Sequence, residues 1–148
     1  MKFKAIIVAV AIVAPLLITE PVAAKSTSYQ LAPGGSCNKY HGFTGPVQGE
    51  VSLKTDGKAG SKTKYQIKAD AQGLAPDKTL EVWFGDLYLK NGQVKGCSAF
   101  KVKTVKVDKK GRLHADGSVT ENTNSLPKQV FIVTSFSAPG LVTNPINF

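Results

Sequence analysis

Histidine and cysteine are scarce in this chain, with two of each in 148 residues, and neither type is clustered. Zinc fingers, dithiol redox centres and multi-histidine metal sites all need several such ligands within reach, so this scarcity argues against them. Acidic residues are outnumbered too: 10 aspartates and glutamates face 19 lysines and arginines, a net charge of +9. A run long enough to cross a bilayer is also missing. The longest apolar stretch, at the N-terminus, has about 15 residues against the roughly 20 that a span needs. Beyond it, no segment shows helical periodicity.

The first segment instead has the layout of a secretory signal. Lys2 and Lys4 precede an uncharged run from Ala5 to Thr19, and the small-residue triplet Val22-Ala23-Ala24 follows. Cleavage after Ala24 divides the chain into a signal peptide, 1–24, and one domain, 25–148, with a secreted or periplasmic destination. The removed part takes Lys2, Lys4 and Glu20 with it, leaving 17 basic and 9 acidic residues, a net charge of +8. In an exported chain an even cysteine count predicts a disulfide, here Cys37–Cys97. Closing a loop of about 60 residues stabilises the fold by on the order of 4 kcal/mol.

What is abundant is short apolar alternation between turn residues. The stretch Gly73 to Asp86, GLAPDKTLEVWFGD, joins a glycine–proline corner to a strand from Thr79 to Phe84 that holds the only tryptophan. Before it, Val47 to Thr55 and Thr63 to Ala71 alternate around the polar run 56–60 and predict a hairpin. Tyr29-Gln30-Leu31 suits a short edge strand stopped by Pro33. After the corner, Asn91-Gly92 turns the chain. In Ala99 to Val107 the apolar parity changes between Val102 and Val105, which predicts a β-bulge near Lys103 to Val105. Arg112 to Val119 is a further strand, and Glu121 to Pro127 a polar loop. QVFIVTSF, apolar on both faces, predicts a central strand covered on two sides. The expected class is all-β, an antiparallel Greek-key-like β-sandwich of about seven strands, with a small β-barrel as the alternative.

Catalytic constellations are thin. Cys37 and His41 are a formal nucleophile–base pair, but the expected disulfide removes the thiol. Asp70, Asp77, Glu81 and Asp86 match neither a glycosidase pair nor a calcium loop and read as solvated turn residues. A non-catalytic protein without cofactor or metal is the reading. The remaining signal is lysine: Lys62, Lys64 and Lys68 share one strand face, and Lys101, Lys103 and Lys106 share another once the bulge is allowed for. If the strands are neighbours, these side chains form a candidate polyanion-binding surface. An anionic glycan, a lipid headgroup or an envelope protein would fit it. Nucleic acid is disfavoured because no stacking aromatics are interleaved.

The strand Gly49 to Leu53 (Gly-x-Val-x-Leu), the corner Gly73-Leu74-Ala75-Pro76, the pair Gly85-Asp86 and the segment Gly96-Cys97-Ser98-Ala99 together resemble the central part of copper,zinc superoxide dismutases. More loosely they are similar to chordin-type (CHRD) domains of exported proteins. The resemblance implies an antiparallel sandwich and, for a dismutase-like metalloprotein or metal carrier, a His-x-His pair on the strand after the corner. That strand reads TLEVWF here, and only His114 lies beyond the Gly-Cys segment. The cysteine pairing departs as well, since the resemblance implies a partner near the C-terminus and Cys97 has only Cys37.

Overall fold

A computed structural model of the chain describes residues 26–35, 37, 47–59, 61–135 and 139–148. The signal segment and His41 lie outside them. Eight strands follow in order: β1 (Ser26–Gly35), β2 (Gly49–Ala59), β3 (Lys62–Ala71), β4 (Thr79–Lys90), β5 (Gln93–Lys106), β6 (Leu113–Asn122), β7 (Lys128–Val133) and β8 (Pro139–Thr143). All belong to one antiparallel sheet in the order β5-β4-β7-β8-β1-β2-β3-β6. The β3–β6 and β4–β7 neighbours skip over intervening strands, which is a Greek-key path. The sheet rolls until its outermost strands, β5 and β6, lie side by side. The expected all-β antiparallel architecture is therefore present in its barrel form, with eight strands among the described residues where about seven were expected.

The closing seam has no backbone ladder among the described residues. Side chains bridge it. Val102 lies over Gly117, where an added Cβ would come within 2.6 Å of it, and Lys103 pairs with Asp116 at 3.0 Å. The expected bulge is one position early: Val82 pairs with Lys103 and Trp83 with Lys101, so Val102 is the extra residue. It restores Val105 and Val107 to the inner side and leaves Lys101, Lys103 and Lys106 exposed. The second half of β5 does not keep Phe100 inside; it is half exposed at the open part of the seam.

Alternation puts Val51 and Leu53 of β2, Tyr65, Ile67, Ala69 and Ala71 of β3, and Leu80, Val82 and Phe84 of β4 into the central core with Val130 and Ile132 of β7. β7 is buried at all six positions. Its other face, Phe131 and Val133, joins Val142, Trp83 and Ala99 in a second cluster, covered by Cys37 and Cys97. These two cysteines form a disulfide with Cα atoms 5.4 Å apart. Trp83 is thus half-buried on the outer face, packed against the same cluster as the disulfide.

Three expectations change. β1 is interior and runs through Pro33: it pairs with β2 up to Leu31 and with β8 from Leu31 to Gly35. At Pro33 only the β8 side is laddered, so the missing N–H costs no bond on the other side. β8 itself, in a tail spaced by Pro139 and Gly140, is an added strand. Finally, β4 continues to Lys90 and β6 to Asn122, which places Asp86 and Glu121 within strands rather than in a turn and a loop.

Candidate functional site

The predicted lysines divide by strand. Lys62, Lys64 and Lys68 project outward from β3, alternating with the buried Thr63, Tyr65, Ile67 and Ala69. None is in an ion pair among the described residues. Their register partners on β6 are Asn122, Thr120 and Asp116, and Lys68 also faces Ser52 of β2. Ser118 and Lys54 flank the intervening Gln66. One face of β2, β3 and β6 therefore presents ammonium, hydroxyl and amide donors around the carboxylate of Asp116, with no aromatic side chain among these positions.

The β5 lysines are different. Lys101 donates to Glu81 at 3.0 Å, Lys103 to Asp116 at 3.0 Å, and Lys106 pairs with Asp77 at 2.9 Å. The hydrogen bond from Lys101 holds the Glu81 carboxyl below its ordinary pKa, helped by Trp83 Nε1 at 3.1 Å. Lys103 does the same to Asp116. Only Lys103 comes near the β3 row, with Asp116 between it and Lys68. The two sets thus meet at one carboxylate rather than merging into a single basic sheet.

The far end of the β3 face is acidic. Gln30, Glu50, Asp70 and His114 are in register across β1, β2, β3 and β6, and His114 Nδ1 is 2.6 Å from Asp70 Oδ1. This row borders an open surface groove of about 740 Å³. Its charged residues are largely paired: Arg112 Nε donates to Asp108 at 3.1 Å, and backbone N–H groups of Lys110 and Arg112 also bind Asp108, keeping its carboxyl below its usual pKa.

Copper or zinc ligands implied by the dismutase resemblance do not fit these residues. The strand after the corner turns Leu80, Val82 and Phe84 into the core and puts Glu81 and Trp83 outside. No group of three or more His, Cys, Asp or Glu is placed to hold a metal among the described residues.

A buried polar cluster was not expected from the sequence. Lys128 opens β7 and is 1% exposed. Its Nζ contacts Asp86 Oδ1 directly and lies 3.0 Å from Asn124 Oδ1 and 3.2 Å from Glu121 Oε2. Asn124 Nδ2 donates to Asp86 Oδ2 at 2.9 Å. The Tyr65 ring is 5.8 Å from Nζ, and Phe84 and Phe148 pack on that ring at 4.9 and 5.3 Å between centroids. Burial raises the Glu121 pKa, with Lys128 pulling the other way. Burial lowers that of Lys128, yet the hydrogen bond to Asp86 and the charge of Glu121 outweigh it and leave it above its ordinary value. A signal did exist: Asp86 interrupts the apolar run FGDLYL, and Lys128 precedes a strand apolar on both faces. A cleft of about 320 Å³ at the open part of the seam reaches the cluster between Ser98 and Phe100 of β5 and Thr120 and Asn122 of β6.

No protein-family model matches the chain, and neither the curated proteins nor the solved structures contain a significant match to it.

Proposed function

We propose that this is an exported, non-catalytic β-barrel protein whose β3 face binds an anionic glycan. The observation that carries the reading is the division of the two lysine rows: Lys101, Lys103 and Lys106 of β5 are neutralised by Glu81, Asp116 and Asp77, whereas Lys62, Lys64 and Lys68 are exposed and in no ion pair among the described residues. Adjacent outward positions on a strand are about 6.7 Å apart, so Lys62 and Lys64 form a closely spaced pair of charges, with Lys68 further along the same line. Hydroxyls of Ser52, Ser118 and Thr120 supply donors beside them. Sulfate or carboxylate groups repeated along a sugar chain match such a row. The ion pairs of Lys101, Lys103 and Lys106 make the β5 row the weaker candidate of the two. The disulfide is compatible with an oxidising, extracytoplasmic location.

Binding to immobilised heparin tests this, beside vesicles of anionic lipid. Retention on heparin that falls with salt, without vesicle binding, is the expected result. Vesicle binding alone would transfer the surface to lipid headgroups, and failure on both would remove the polyanion reading.

A further inference from the structure

We infer that Lys128 and Asp86 join in an intramolecular amide bond, formed by the folded protein with Glu121 as the proton carrier. The two residues are direct partners across the antiparallel β4–β7 pair. Their backbones are fixed on both sides. Leu87 N–H donates to the Pro127 carbonyl at 2.8 Å, and Lys128 exchanges two 2.8 Å backbone bonds with Ile146. The amine nitrogen is thereby held against the carboxyl group beside the Tyr65 ring, which is itself packed on Phe84. Effective molarities of about 10⁵–10⁸ M for such enforced neighbours can drive a condensation that free amine and acid do not undergo in water.

The unreacted cluster is also an expensive one to bury. It holds two carboxyl groups and one ammonium, and neither oxygen of Glu121 has a hydrogen bond of good geometry among the described residues. Burial of an incompletely satisfied charged group is costly, and the interior favours neutral forms. Amide formation removes two of the charged groups at once.

The atoms balance without any co-reactant. One proton passes from Lys128 Nζ to Asp86 Oδ1, giving a neutral amine and a neutral acid. The Nζ lone pair attacks Asp86 Cγ. Charge developing on Oδ2 is met by the Asn124 Nδ2 donor already bound there at 2.9 Å. Glu121, 3.2 Å from Nζ, takes a proton from the nitrogen and delivers it to Oδ1. The Cγ–Oδ1 bond breaks, a water molecule leaves, and Glu121 returns to its starting state. Asp86, Glu121 and Asn124 all line the seam cleft, so the water has a route out. The product keeps one N–H, which donates to Glu121. Burial keeps the Glu121 carboxyl above its usual pKa, which suits a group that must both accept and return a proton.

The test is intact-mass and tandem mass spectrometry of the folded protein after disulfide reduction. The expected mass is lower than the sequence requires by one water, with a branched peptide linking Lys128 to Asp86 and no tryptic cleavage after Lys128. A wild-type protein of full mass, with separate unmodified peptides, would overturn the inference. So would loss of ammonia instead of water, which would make Asn124 the acyl partner. A water deficit that survives in Lys128→Arg would overturn it as well, by assigning the loss to a cyclised aspartate such as Asp116 before Gly117. Glu121→Gln should carry the full mass while remaining folded by circular dichroism; a deficit retained there would remove Glu121 from its role.

Discussion

Reduction of Cys37–Cys97 should destabilise the protein by about 4 kcal/mol. The bond spans 60 residues, and the loop-entropy relation for a ring of that size gives about 14 cal/mol/K, or about 4.3 kcal/mol at room temperature. A second effect adds to this one. The disulfide packs on Phe131, Val133 and Val142 on the outer face of the barrel, beside Trp83, so its loss loosens the cover of that apolar cluster. Urea titrations with and without reductant, or on a Cys37→Ser/Cys97→Ser double variant, measure the difference through the midpoint and slope. Because Trp83 is the only tryptophan, its emission should shift to the red on reduction, before global unfolding begins. A midpoint change worth less than about 1 kcal/mol, well under the loop-entropy value, would refute this account of what the bond does.

Phe131→Ala should cost about 3–5 kcal/mol, because the ring is fully buried on the outer side of β7 and its loss leaves a cavity beneath the disulfide; thermal or urea unfolding measures it. Glu121→Gln should change the pH dependence of stability, on top of a pH-independent offset from the amide bond that this variant does not form. The folded pKa of Glu121 lies above the unfolded value, so its contribution is full below the unfolded pKa and is lost as pH rises through the folded pKa. The glutamine variant should therefore gain on wild type as pH rises above the ordinary glutamate range, and a difference between the two that does not change with pH would contradict the assigned burial effect. Glu81, Asp108 and Asp116, whose pKa values are lowered, act in the opposite sense and lose their contribution as pH falls. Elemental analysis of dialysed protein should find no stoichiometric copper or zinc, since only two histidines are available; a full equivalent of either would restore the metalloprotein reading.

Strands with strict alternation were legible from sequence. β2 and β3 needed only the period-two pattern and the polar run between them, and the parity change in β5 located a bulge to within a residue. What escaped depended on pairing. β8 is five residues long and opens with Pro139, so nothing local distinguishes it from a tail until β7 and β1 flank it. Pro33 suggested the end of β1, yet the strand changes partners near that position and continues. The lysine rows point outward, but which lysines are neutralised is a tertiary property: Asp77 and Glu81 come from the corner and start of β4, paired with β5, and Asp116 from β6 across the seam. The Asp86–Lys128–Glu121 cluster was missed for a related reason. Asp86 and Lys128 stand beside apolar runs and Glu121 in a polar one, and only the strand extensions and the β4–β7 register bring the three together inside.

Two triple variants that remove the same charge test the glycan-binding face most directly. Lys62→Gln/Lys64→Gln/Lys68→Gln empties the unpaired β3 row, and Lys101→Gln/Lys103→Gln/Lys106→Gln removes lysines that are already neutralised. If the β3 face is the binding surface, the first should elute from heparin at much lower salt than the second, which should stay close to wild type. Equal shifts would show that heparin senses net charge alone, and the account of the β3 face would be wrong.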